Sequence, residues 1–577
     1  MRYVVCLTLL ISTAQGAFAQ TAAESVGIKS YPIEYLGQSI PQSFTLDASR
    51  LPVLRDWQPG DPISEIPRQH WLAAGQKPPS TPVPVYVADP SDPLVAKANQ
   101  FYATRAQRAF GTPEFSVAGI GNTGVTPPDT TADVGKDHVV QSVNGSAGGA
   151  RYLILNKTDG SIAAGPFSMV SLGAGGLCAN SFGDPVVVYD EMAERWVFTE
   201  FSNRAGRTLC VYISATSNPV STTWTKYEFQ TPAFPDYPHY GVWGNSYLVT
   251  ANEPSSTGNR PVFALDRAKM LLAQPAGMVR ANLPNLAGFD FQTWTPADHD
   301  GKLDPVPATM PGIFMRHRDD EAHNAGANNP TQDFLELVQL TVDWSSPTPV
   351  GSASAIQQIP MAEFSSDLNG LTAFEAFPQP NNQKIDPLRE PIMTRVAYRR
   401  FPGYETLLGN LVTDVDGNDT GGIRWFELRR IGGVTGTWTL YQQGTHALAD
   451  AGGPIDRWMA GTAMDQDGNI ALSYSVVRQS PALFTGLRYA GRLAGDPLGT
   501  LTTAENSIFE GAGSQLSQRW GDYAQLGTDP ENGCSFFGTG EYVNAAGQWQ
   551  TRVGKFKFDE CGGPSYIATA TNLSQQI

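Results

Sequence analysis

Gly183-Asp184-Pro185-Val186-Val187-Val188-Tyr189-Asp190, running on to Trp196-Val197-Phe198, reads as a buried strand, a tight polar turn and an aromatic strand. The same unit returns three times. It recurs as Asp236-Tyr237-Pro238-His239-Tyr240-Gly241-Val242-Trp243 with Tyr247-Leu248-Val249, and as Arg457-Trp458-Met459-Ala460-Gly461 with Ile470-Ala471-Leu472-Ser473-Tyr474. The last copy is Arg519-Trp520-Gly521-Asp522-Tyr523-Ala524 with Ser535-Phe536-Phe537. The first two copies begin about fifty residues apart and the last two about sixty, the size of a propeller blade of four antiparallel strands.

Working outward, residues 115–560 are short runs rich in β-branched and aromatic residues, bounded by Gly, Asp and Asn. Arg151-Tyr152-Leu153-Ile154-Leu155 and Ile423-Arg424-Trp425-Phe426-Glu427-Leu428 are two of them. Long helical periodicity is absent. The pattern predicts an all-β, roughly seven-bladed β-propeller with an irregular N-terminal segment. The blades are cut at 133–173, 182–231, 235–285, 289–360, 391–447, 455–511 and 518–558, and six or eight remain open alternatives. Radial closure lets each blade cover its neighbour, so a long all-β chain exposes no sheet edges. Segment 361–390 reads as a long connecting loop. Residues 20–114 are rich in Pro, Ser and Ala and form a leader, linker or strap, with one helical patch over 93–110. Residues 561–577 form a tail.

Residues 1–19 read as a secretory signal peptide: Met1-Arg2, an apolar run from Tyr3 to Ile11, and an Ala17-Phe18-Ala19 exit. No later stretch is apolar enough to span a membrane. The expected location is secreted or periplasmic. The net charge of −16 becomes −17 without the leader, which carries one Arg and no acid. No extended Lys/Arg cluster offsets that charge, so a nucleic-acid partner is not expected. Beyond Cys6, four cysteines remain, an even number that suits an oxidising compartment. Of three connectivities, Cys178–Cys210 and Cys534–Cys561 are favoured, because each pair flanks one blade.

At these repeats the chain resembles an uncharacterised family of secreted bacterial β-propeller proteins. The likeness rests on Asp133-Val134-Gly135 with Val140-Gln141-Ser142-Val143-Asn144, on the Gly183–Asp190 stretch with Arg195-Trp196, and on Phe234-Pro235-Asp236-Tyr237-Pro238 with Tyr240-Gly241-Val242-Trp243. It continues through Gly422-Ile423-Arg424-Trp425 and ends at Arg519-Trp520-Gly521-Asp522-Tyr523. It spans most of 120–560 and implies a propeller, with no established activity to carry over. A more distant similarity is to sialidase-like propellers. Asp465-Gln466-Asp467-Gly468-Asn469 is the nearest match to their Asp-box turn, and it lacks that motif's spacing and closing Trp.

In a propeller the starts of the innermost strands converge on one mouth. That geometry gathers Asp184, Asp236, Asp522, Arg457 and Arg519, with Asp129 and Asp133 from the chain's approach. Tyr237, His239, Trp458 and Trp520 would supply rings. Aromatic faces stack on sugars, and carboxylates accept their hydroxyls. The expected partner is therefore an extracellular polysaccharide or another cell-surface ligand. A glycosidase reading makes Asp184 and Asp236 the catalytic pair, with Arg457 and Arg519 orienting the substrate. Against it stands the ordinary role of Asp in capping turns, which would leave a non-catalytic binding scaffold. A hydrolase of another extracellular polymer is a third reading.

No cofactor is required by any motif. A structural Ca²⁺ is a candidate at Asp298, Asp300 and Asp304, and a second at Asp414-Val415-Asp416-Gly417-Asn418-Asp419, although such stretches commonly form hairpin turns. His317-Arg318-Asp319-Asp320-Glu321-Ala322-His323 lacks H-E-x-x-H spacing and predicts a solvated loop. No G-x-S-x-G elbow and no P-loop occurs.

Overall fold

The computed structural model describes residues 30–66 and 92–562, except 147–148, 170–174, 254–258, 287–290, 292, 302–304, 324–328, 330 and 372–374. The signal-peptide reading of 1–19 lies outside the described residues. The structure is nearly all β.

The strands fall into consecutive antiparallel groups. Group I holds Thr131–Val134, His138–Asn144, Ala150–Asn156 and Ile162–Phe167. Group II opens with Ser181–Asp190, group III with Asp236–Val242, group IV with Thr295–His299 and group V with Val396–Phe401. Group VI opens with Asp456–Met464 and group VII with Gln525–Thr528. Group VII is completed by Phe115–Ala118, which pairs with Trp549–Phe556, so the start and end of this region share one sheet. Groups III, IV and V are further joined into one hydrogen-bonded sheet, through Tyr31–Ser39 and through a parallel pairing of the first strands of IV and V.

Each opening strand touches those of the groups before and after it, and the opening strand of VII touches that of I. The core lies between successive groups. Val187 and Tyr189 pack with Val140 and Tyr152 of group I, while Val186 and Val188 pack with Tyr240 and Val249 of group III. Alternate side chains of one strand thus serve two neighbours. This is why the strand reads Val-Val-Val-Tyr rather than apolar–polar. The circuit continues through Leu408 with Leu472, and Ala471 with Leu526, and closes through Phe537 with Val139.

Four expectations change. The N-terminal segment is not wholly irregular: Tyr31–Ser39 adds to groups III and IV, and Gln42–Asp47 adds a fifth strand to group II. Both cover outer strands whose edges would otherwise be open. The helix runs only over Pro93–Thr104, capped by the Asp92 side chain on the Leu94 N–H. Beyond it, Arg108 forms a bridge with Thr503 that holds the chain extended. Segment 361–390 is no simple loop, since Leu368, Phe377, Ile385 and Leu388 are buried in the same core cluster as Trp458 and Trp520. Finally, His317–His323 is not solvated, because His317, Asp319 and His323 are each at most 2% exposed. The cysteines pair as 178–210 and 534–561. Among the described residues no helix is long and apolar enough to cross a membrane.

Candidate functional site

Three opening strands start with the same distortion. Asp184, Tyr237 and Met459 all have positive φ, at 46°, 51° and 47°, and the pairing register slips beside each. For residues other than glycine this conformation is costly, and it gathers at functional sites. The slip turns Asp184 and Asp236 off the sheet and into a shared cavity. Gly183, at φ 138°, must be glycine, because a Cβ there would lie 2.6 Å from the Asn144 Oδ1.

The cavity is lined by Asp129, Asp184, Asp236, Asp522, Arg519 and Tyr237, under a rim of Phe182, Phe201 and Phe234. Its volume is about 30 Å³, room for one water. A circuit of hydrogen bonds binds its walls. The Asp522 N–H donates to Asp129 Oδ1 at 2.9 Å, and Asn144 Nδ2 donates to Asp129 Oδ2 at 2.6 Å. The Asp184 N–H donates to Asn144 Oδ1 at 2.9 Å, and the Tyr237 N–H donates to Asp184 Oδ2 at 3.2 Å. The Tyr237 hydroxyl returns to the Asp522 carbonyl at 2.8 Å. Arg519 donates to Asp522 at 2.6 Å and to the Ile66 carbonyl at 2.6 Å.

Burial holds the Asp184 carboxyl far above the ordinary carboxylate range, and the charges of Asp129, Asp236 and Asp522 push it further. Asp129 is raised to about 8, first by burial and then by Asp522, against the pull of Arg519. The Asp184 and Asp129 carboxyls are themselves hydrogen-bonded. A proton therefore resides on this pair at neutral pH, in a cavity with two more carboxyl groups. Such an arrangement can donate a proton and accept one in the same place.

Of the residues expected at the mouth, Asp129, Asp184, Asp236, Tyr237, Arg519 and Asp522 line this cavity. The others do not. Trp458 and Trp520 are buried against each other and, through Trp458, against Phe377, so neither offers a face to a ligand. Leu368, Phe377, Ile385 and Leu388 of segment 361–390 share that buried cluster with both tryptophans. Arg457 is spent on Glu505, at 2.8 Å. His239 is fully buried, hydrogen-bonded through Nδ1 to the Thr394 hydroxyl at 2.8 Å, and burial drops its pKa to about 3.

Asp133 belongs to a different cluster. Arg395 clamps it at 2.8 Å and holds Asp298 at 2.5 Å. Asp298 and Asp300 sit at that cluster. They lie on or beside the buried strand Thr295–His299, where spacing by two sets them on one face, and they are met by Arg395 and Arg399. Asp304 lies outside the described residues. The Asp414–Asp419 stretch is a hairpin turn in which the Asp414 carboxylate accepts the N–H groups of Asp416, Gly417 and Asp419.

Sequence reading missed the phenylalanine rim. Phe201 and Phe234 meet edge to face at 4.9 Å, and Arg204 lies 4.9 Å above Phe234. The signal was there: a Phe stands two residues before each acid, Phe182 before Asp184 and Phe234 before Asp236. It also missed the buried carboxylates of Asp319, Glu321 and Asp333, whose oxygens lie within 4.8 Å of one another. Burial, then the charges of Asp319 and Glu363, raise Asp333 to about 10, and burial, then Asp320 and Glu363, raise Glu321 to about 9.

No family model matches the chain, and no curated protein matches it. Solved structures that it resembles include an endo-arabinase from Bacteroides thetaiotaomicron, 12% identical over 65% of this chain and 93% of that one, with a TM-score of 0.27. A levansucrase variant of B. megaterium is 10% identical over 72% and 98%, with a TM-score of 0.29. A protein of unknown function from Dyadobacter fermentans is 12% identical over 77% and 98%, with a TM-score of 0.27. Superpositions this loose assign neither a fold nor an activity to the chain.

Proposed function

We propose that the chain is a secreted seven-bladed β-propeller that binds a carbohydrate polymer at the acidic mouth and hydrolyses it. The observation that carries this reading is the Asp184–Asp129 pair, which keeps a proton at neutral pH within the cavity that Asp236 also lines. In the proposed roles Asp184 protonates the leaving oxygen and Asp236 attacks or activates water. Phe182, 42% exposed at the rim, stacks on a sugar face, and Arg519 orients its hydroxyls. The propeller reading is supported by the circuit of contacts among opening strands and by the seventh group's borrowed strand. Export is supported by two disulfides.

The test is a panel of polysaccharides assayed for new reducing ends. Wild type should release them, and Asp184→Asn and Asp236→Asn should each lose at least a hundredfold in rate, the usual scale of a lost general acid or base. A second reading, a non-catalytic scaffold, draws on the hydrogen-bond circuit, in which Asp129 and Asp184 accept backbone N–H groups. Saturable binding without reducing ends would favour it.

A further inference from the structure

The acidic cavity has a larger neighbour, a groove of about 450 Å³ lined by Trp57, Trp549, Asn122 and Gln548. That is the size of a small-ligand site, whereas the cavity itself holds one water. The two share three walls in sequence. Glu65 lines the groove and Ile66 the cavity; Thr126 lines the groove and Pro127 the cavity; Ser517 lines the groove and Arg519 the cavity. Ile63 and Glu65 line the groove and Ile66 the cavity, so the stretch Ile63–Ile66 lies at the boundary between them.

This partition is lightly held. No residue from 51 to 66 is buried, and Ile63 is 71% exposed. Among the described residues it is attached by a two-residue parallel pairing of Ser64–Glu65 with Val125–Thr126, with the Ser64 N–H donating to the Gly124 carbonyl and the Ile66 N–H to the Thr126 carbonyl, both at 2.7 Å, and by the Arg519 side chain donating to the Ile66 carbonyl. Segment 361–390, by contrast, is anchored by buried apolar residues. Segments with few buried contacts open at low free energy, whereas packed ones do not. The bond from Arg519 is also of the kind a ligand oxygen would accept.

We propose that Ile63–Ile66 is a displaceable strap that closes the binding trough at rest and leaves it when a ligand binds, joining the cavity to the groove. The trough then runs from the acids to Trp57 and suits a chain of sugar units rather than a single one. This rests on the mouth being the binding site, and the test is chosen so that it needs no sugar.

The reporter is Asp236→Cys in the full chain carrying Cys6→Ser, which leaves the two disulfides and one free thiol. Its rate of modification by a biotin-bearing methanethiosulfonate is compared in three backgrounds: native strap; Ile63, Ser64, Glu65 and Ile66 all →Gly; and Ser64→Pro, which removes the N–H donor to Gly124. The expected result is a rise of at least tenfold with the glycines and a smaller rise with Ser64→Pro, with both disulfides intact. Equal rates in all three would overturn the strap while leaving the mouth reading to its own assay. If the glycine variant does not fold, an unchanged rate in Ser64→Pro overturns it alone.

Discussion

Replacing Asp184 with Asn asks whether this carboxyl is a held acid or a structural anion. In the fold its Oδ2 accepts the Tyr237 N–H at 3.2 Å, and burial with three neighbouring acids keeps it protonated well above the ordinary range. An amide has the same shape, keeps an acceptor for Tyr237 and can donate to Asp129. The substitution should therefore cost no more than about 1 kcal/mol at pH 5. Asp184→Ala, which strips the Tyr237 N–H of its partner, should cost about 1–3 kcal/mol more.

The pH dependence is the sharper readout. The unfolded carboxyl titrates near 3.9, and the folded one far higher. A raised folded pKa contributes stability that is fully present below the unfolded value and is lost as pH rises toward the folded one. Each pH unit in that window costs wild type about 1.4 kcal/mol, and the amide does not titrate. Between pH 5 and pH 7 Asp184→Asn should thus gain stability relative to wild type, the gain growing as pH rises. Urea unfolding followed by tryptophan fluorescence at pH 5, 6 and 7, with disulfides intact, measures this. A difference that does not change with pH, or a loss above about 3 kcal/mol at pH 7, would mean an ionised, structural carboxylate and would refute the reasoning.

Three other perturbations probe separate parts of the molecule. Arg395→Met leaves Asp133 and Asp298 facing each other without their shared cation; it should cost about 3–5 kcal/mol in urea unfolding at pH 8, and less at pH 5, because Asp298 already titrates at about 7. Phe182→Ala should change stability by less than about 1 kcal/mol yet weaken sugar affinity roughly three- to tenfold by titration calorimetry. Reducing either disulfide, which close loops of 32 and 27 residues, should lower stability by about 3.5 kcal/mol on the chain-entropy scale, read as a fall in the urea midpoint with and without reductant.

The parts of the fold legible in the sequence were those where local pattern and tertiary role coincide. Val186–Tyr189 is apolar on both faces because it serves two neighbours, and such runs mark the opening strands plainly. Tyr31–Ser39 was not legible, since its pairing partners, such as Ala281 and Ala353, lie hundreds of residues away and its surroundings are proline-rich. Asp298-His299-Asp300-Gly301 carries the letters of a cation loop, and only the pairing of Ala297–His299 with Val396–Tyr398 reveals a buried strand. Asp184, Asp236 and Asp522 line one cavity, and they stand at similar places in the repeat. Trp458 and Trp520 recur there too, and were misjudged because they are buried in one cluster with residues of segment 361–390.

Why this cavity holds acids at all bears on its purpose. Stitching the groups together needs acceptors for backbone N–H groups, and Asn144 does this with a neutral amide at no cost in charge. Placing Asp129, Asp184 and Asp522 around the same cavity adds desolvation and mutual repulsion that architecture does not require. Groups retained against such a cost are candidates for proton transfer. If that is their work, activity must fall as the shared proton is lost. The rate of reducing-end release should therefore hold up to about pH 8, where Asp129 titrates, and fall above it, because an ionised Asp129 beside Asp184 holds the remaining proton more tightly and makes Asp184 a weaker acid. Sugar affinity in a scaffold held together by the same hydrogen bonds has no reason to follow that limb. Measured to pH 9.5 on protein whose fold is checked by circular dichroism at each point, a flat rate profile would return these acids to architecture.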